Sequence, residues 1–115
     1  MPVDVRATTC GDRDVVTLVA EVQQEYVARY GSEDATPMTP EEFVAPEGTV
    51  VVAHVGGRLA GCGAFRRHDD SIAEIKRMYV RPAYRGRGVA RAVLADLEVR
   101  AAAAGYTSIL LETGN

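Results

Sequence analysis

No apolar run in this 115-residue chain reaches the roughly 20 positions that a membrane-spanning helix needs, because charge or glycine interrupts each one. The first residues, MPVDVRATT, lack the basic start and apolar stretch of a secretory leader. Cysteine is scarce: Cys10 and Cys62 fit no metal-binding or redox spacing. These gaps argue against a membrane partner, secretion and a disulfide or zinc scaffold, so a cytoplasmic protein with reduced thiols is expected. Low-complexity tracts and internal repeats are missing as well. What remains is a globular composition, 47% apolar and 25% charged, at a length that suits one domain with its own core.

The elements follow from periodicity and punctuation. Val3–Ala7 alternates as a short strand. Asp12 is placed to cap a helix with apolar residues Val15, Leu18, Val19, Val22 and Tyr26 on one face, ending before Gly31. Thr39-Pro40-Glu41-Glu42 is a capping box that predicts a short helix over Pro40–Val44. A β-meander follows. Thr49–Val55 and Arg58–Arg67 are strands joined by the Gly56-Gly57 hairpin signal, and Ile72–Val80 is the third. Gly61 and Gly63 inside the second of these predict a bulge or a close backbone approach. From Val89 the pattern is helical up to Gly105, and Tyr106–Thr113 closes as a strand. Strand, helix and strand at this spacing imply a right-handed crossover and one parallel pair in an otherwise antiparallel sheet.

Charge is unevenly placed. The net charge is −3, yet residues 81–94, RPAYRGRGVARAVL, hold four arginines and no acid between Arg81 and Arg91. The other nine basic residues face all sixteen acidic ones. A compact basic spot on an acidic chain suits a small anion and disfavours nucleic acid. Arg85-Gly86-Arg87-Gly88 precedes a helix N-terminus, where unpaired backbone N–H groups and the helix dipole attract anions. Glycines leave room for a phosphate to approach; the plain alternative is an ordinary exposed turn with solvated arginines. A Walker loop is excluded, because no Gly-Lys-Ser/Thr follows. A dinucleotide fingerprint is excluded too, because Arg91 stands where its third glycine belongs.

Arg85-x-x-Gly88-x-Ala90 resembles the Arg/Gln-x-x-Gly-x-Gly/Ala signature of the GNAT superfamily of acyl-CoA N-acetyltransferases. The strand AEIKRMYV, the RP pair, the Ala-rich helix and the strand LLET follow that superfamily's central motif in order, over residues 72–114. The resemblance implies an α+β fold: a mixed, mostly antiparallel sheet, a parallel strand pair splayed around a CoA site, and helices on both faces. It also implies acetyl-CoA as cosubstrate. Met78, Tyr79 and Val80 would lie along the pantetheine arm, through backbone atoms, so that Met78 and Val80 can equally be plain core residues. Arg85, Gly86, Arg87, Gly88, Val89 and Ala90 would lie around the pyrophosphate. Strands Ile75–Val80 and Ser108–Glu112 would splay apart to admit the thioester.

Glu74, the one acid in that strand, matches the position of the general-base glutamate in some members. Two plainer roles stand beside it: lining the substrate slot, or pairing with a basic neighbour, since strand alternation puts Lys76 and Met78 on its face. A tyrosine general acid, which many members place on a later helix, has no counterpart in this chain. His68-Asp69-Asp70 reads as a solvated turn, and no metal is expected. The expected activity is N-acetyl transfer to a primary amine of a small molecule or peptide. The alternative is a non-catalytic acyl-CoA-binding or regulatory module. Glu33, Asp34, Glu41 and Glu42 mark the region that would meet the acceptor. The strand Tyr106–Thr113 would leave an open edge beside Ile109, Leu110 and Leu111. We therefore expect either a homodimer covering that edge or, favoured, a single GNAT-like domain, residues 1–115, that is incomplete at its C-terminal end.

Overall fold

The computed structural model describes residues 2–30, 43–44 and 47–111, with residues 26–30 described by backbone alone. Strand β1 (Val3–Thr8) leads into helix α1 (Arg13–Tyr30), then β2 (Thr49–Val55), β3 (Arg58–Arg67), β4 (Ile72–Val80), helix α2 (Val89–Ala103) and β5 (Ser108–Leu111). Most of the helix expected over Pro40–Val44, the acidic residues named with it, and the end of the last strand lie outside the described residues.

Strand order in the sheet is β1-β2-β3-β4-β5, antiparallel except for the parallel β4–β5 pair. This is the mixed α+β architecture expected. The β2–β3 hairpin turns at Gly56 and Gly57, whose φ values of 58° and 79° make the left-handed two-residue turn that suits twisted strands. Helix α1 starts as its sequence requires, with the Asp12 carboxylate accepting the Asp14 N–H at 2.7 Å. Parallel pairing runs from Ile72↔Ser108 to Ile75↔Leu111, so among the described residues β5 covers only the first part of β4.

Among the described residues each sheet face carries one long helix. On one face Val15, Leu18 and Val22 of α1 pack on Val50, Val52, Cys62, Ala64 and Tyr79. On the other, Val89, Val93, Leu97 and Ala101 of α2, spaced by four, pack on Val51, Ala53, Phe65, Ala73 and Ile75. Fully burying a valine, leucine or phenylalanine is worth about 1.5–3 kcal/mol, so these stripes dominate the stability. The expected close approach in β3 is present. A Cβ on Gly61 would lie 2.5 Å from the Tyr79 carbonyl oxygen, and one on Gly63 would lie 2.7 Å from Val93 Cγ1. Cys62 is buried between these glycines, and burial pushes its thiol up to about 12. No helix among the described residues is long and apolar enough to cross a membrane.

Candidate functional site

A bulge in β4 orients the site. Cys62 pairs with Tyr79 and Ala64 with Lys76, so β4 uses one more residue than β3 across the same step. Arg77 takes up the extra residue with φ of 56°, a left-handed conformation uncommon for residues other than glycine. Its carbonyl accepts the Cys62 thiol at 3.3 Å. Side-chain parity therefore reverses across the bulge. Ala73 and Ile75 face α2 before it, and Met78 and Val80 face α2 after it. Simple alternation would put Met78 on the face of Glu74. The bulge moves it to the opposite face, toward the α2 N-terminus.

Beyond Val80 the chain turns sharply. The Arg81 N–H donates to the Ala60 carbonyl at 2.8 Å, and Pro82–Tyr84 forms a single 3₁₀ turn. Gly86 and Gly88 follow with φ of 77° and 81°, and at each an added Cβ would point into open space. Gly88 is the N-cap of α2, and the Ala92 N–H donates to its carbonyl at 3.0 Å. The N–H groups of Val89, Ala90 and Arg91 have no acceptor within the helix. Val89, fully buried, pins this first turn to the sheet.

Strand end and helix start enclose a cavity of about 680 Å³ lined by Met78, Tyr79, Val80, Arg85, Gly86, Gly88, Val89 and Ala90. These are the residues proposed for cosubstrate binding, with one exception. Arg87 is outside the lining, and its guanidinium lies 5.8 Å from the centre of the Tyr84 ring. Val22, Glu25, Tyr84 and Arg91 also line the cavity. The volume suits a small-molecule site. Open space before two glycines, three first-turn amides and Arg91 together present donors and positive charge that could hold an anion such as a pyrophosphate.

Helix α1 braces this wall through acids that sequence reasoning did not single out. Glu21 accepts from Arg81 NH2 at 2.8 Å, from Arg81 Nε at 3.2 Å and from the Tyr79 hydroxyl at 3.2 Å. Burial first, and then the Glu21 carboxylate, push the Tyr79 hydroxyl up to about 12. Glu25 accepts from Arg85 NH2 at 2.6 Å, while Arg85 Nε donates to the Val80 carbonyl at 2.9 Å. The available signal was spacing: Glu21 and Glu25 are four apart, as are Arg81 and Arg85. Only the fold shows that the two pairs meet.

Glu74 faces the α1 side, where Arg66 Nε donates to its carboxylate at 2.9 Å. It lies opposite Arg66 in the β3–β4 ladder and is absent from the cavity lining. Both partners are largely buried, at 21% and 16% side-chain exposure, so the pair is better shielded than a surface ion pair. His54 Nε2 lies 3.5 Å from Asp14, and among the described residues no three His, Cys, Asp or Glu side chains gather as a metal-ligand set.

An IAA acetyltransferase of Azospirillum brasilense is 34% identical over 101 residues, covering 87% of this chain and 66% of its own length. An uncharacterized N-acetyltransferase of Bacillus subtilis, YsnE, is 35% identical over 103 residues, covering 90% of this chain and 68% of its own length. The chain thus spans about two thirds of these curated relatives. The ribosomal-protein-alanine N-acetyltransferase structure from Brucella melitensis shares the fold at a TM-score of 0.75 and 20% identity, over all of this chain and 82% of that one. The acetyltransferase (GNAT) family matches residues 16–115, and the chain belongs to that family.

Proposed function

We propose that the protein transfers an acetyl group from acetyl-CoA to a primary amine of a small molecule or peptide. The observation that carries this reading is the shared cavity of a strand end, Met78–Val80, and an anion cradle at the α2 N-terminus. A CoA thioester has a long neutral arm and a pyrophosphate, and the two walls match those two parts. Backbone groups of Met78–Val80 hold the arm. Amides around Gly86–Arg91 hold the phosphates, each charge-assisted hydrogen bond being worth about 1.5–3 kcal/mol.

The cosubstrate supplies an activated acetyl thioester. In the transfer the amine nitrogen forms a bond to the carbonyl carbon, the C–S bond breaks, and the sulfur leaves as a thiolate that takes a proton. The amine must first shed its own proton. Glu74 is the proposed acceptor of that proton, directly or through water, and Arg66 fixes the orientation of its carboxylate.

A thiol-release assay with acetyl-CoA and a panel of amines tests the reading. Amine-dependent release of CoA thiol is expected. CoA binding without release under any amine would favour the acyl-CoA-binding module instead.

A further inference from the structure

We propose that Glu25 is a placeholder anion, holding Arg85 in the unliganded protein and yielding it to a phosphate of the CoA cosubstrate. The inference rests on the acyl-CoA reading of the cavity.

Glu25 puts a carboxylate on the wall of a cavity whose other wall, at the α2 N-terminus, is built to attract anions. Alone, that carboxylate would repel a pyrophosphate. Its charge is met by Arg85 NH2 at 2.6 Å and also by the Tyr79 hydroxyl, with side-chain exposures of 46% for Arg85 and 33% for Glu25. The neighbouring pair differs. Glu21 binds Arg81 through both carboxylate oxygens, while Arg81 NH1 reaches the Leu59 carbonyl at 3.5 Å. That cluster bolts α1 to the end of β4. The Glu25–Arg85 pair is more open to solvent and sits at the cavity itself.

Arg85 is also prepared to change partners without moving far. Its Nε stays on the Val80 carbonyl at 2.9 Å, and its guanidinium lies 5.7 Å from the centre of the Tyr79 ring. Those two contacts guide the side chain while the NH2 end is re-aimed. Half-exposed ion pairs are weak, whereas an arginine–phosphate contact is charge-assisted and often bidentate. The exchange therefore runs toward phosphate once the amide cradle has placed it. A small anion that cannot span cradle and arginine gains less from the exchange, so Glu25 favours an extended polyphosphate ligand over free small anions.

Calorimetric titration of CoA into wild type, Glu25→Gln, Glu25→Ala and Glu25→Asp tests the inference, with thermal melts to establish folding. Losing the competitor should tighten CoA binding roughly two- to five-fold in the Gln and Ala variants. Glu25→Asp keeps the charge but shortens the reach to Arg85, so it should tighten binding as well, by a smaller factor. In steady state the acetyl-CoA KM should fall in the same direction as the binding constant. Unchanged or weaker binding in folded Gln and Ala variants overturns the placeholder while leaving the cavity assignment standing. Tightening in Glu25→Gln with none in Glu25→Asp overturns the exchange in favour of plain repulsion. Wild type that takes up no CoA overturns both readings.

Discussion

Gly88→Asp should separate binding at the cradle from folding. Gly88 has φ of 81° and ψ of 10°, and no atom lies within 4 Å of where its Cβ would be. The fold therefore meets a backbone cost but no collision. A left-handed conformation costs an ordinary residue about 1–2 kcal/mol, and aspartate tolerates it better than most. A carboxylate at a helix N-terminus returns about 0.3–1 kcal/mol. Net destabilisation should be about 1 kcal/mol or less, a fall of about 4–8 °C in Tm at most for a chain of this size. The effect on binding is much larger. The new carboxylate takes the place of phosphate before the first-turn amides. Losing two charge-assisted hydrogen bonds costs about 3–6 kcal/mol, or on the order of 10²- to 10⁴-fold in affinity. Gly105→Asp is the matched control. Gly105 lies past the opposite end of α2 with φ of 102°, where a carboxylate opposes the dipole. It should lower Tm further than Gly88→Asp yet leave CoA affinity unchanged. Calorimetric titration of CoA, with thermal melts by circular dichroism, reads both quantities. A folded Gly88→Asp protein that binds CoA within two-fold of wild type would refute the cradle.

Three further outcomes are expected. Glu74→Gln should lower kcat at neutral pH with little change in the acetyl-CoA KM; wild-type turnover with an unaltered pH profile would reduce Glu74 to its pairing with Arg66. Because folding raises the Tyr79 hydroxyl from 10.0 to about 12, its stabilising contribution is complete below pH 10 and is lost as pH climbs toward 12. Urea midpoints should fall more steeply across that window in wild type than in Tyr79→Phe, and parallel curves would contradict the assignment. Gly61→Ala should destabilise more than Gly63→Ala, because the first Cβ meets the Tyr79 carbonyl at 2.5 Å while the second meets side-chain atoms of Val93, Met78 and Leu97, at 2.7–3.0 Å. Denaturant unfolding ranks the two, with about 1–3 kcal/mol expected for the worse.

Local chemistry was enough to write the elements into the sequence. The strand Thr49–Val55 follows from a β-branched run, Arg58–Arg67 from its return past the Gly56-Gly57 hairpin and Ile72–Val80 from the turn before it, and their observed limits agree. The hairpin at Gly56-Gly57 and the start of α2 at Val89 are set by backbone freedoms that a few neighbouring residues control. The glycine turn at Gly86 and Gly88 before α2 was legible for the same reason, since it needs no help from the rest of the chain. Tertiary structure decided what depends on distant partners. The bulge at Arg77 is an outcome of β4 pairing with β3, and no period-2 pattern announces it, so the face presented by Met78 was misread from alternation. The partner of Glu74 became known only when register set Arg66 opposite it. Glu21 and Glu25 meet Arg81 and Arg85 across 60 residues of chain, and a charged helix face looks the same in sequence whether water or an arginine lies in front of it. Short-range forces act between residues that sequence already places together; ion pairs and packing act between residues that only the fold brings into reach.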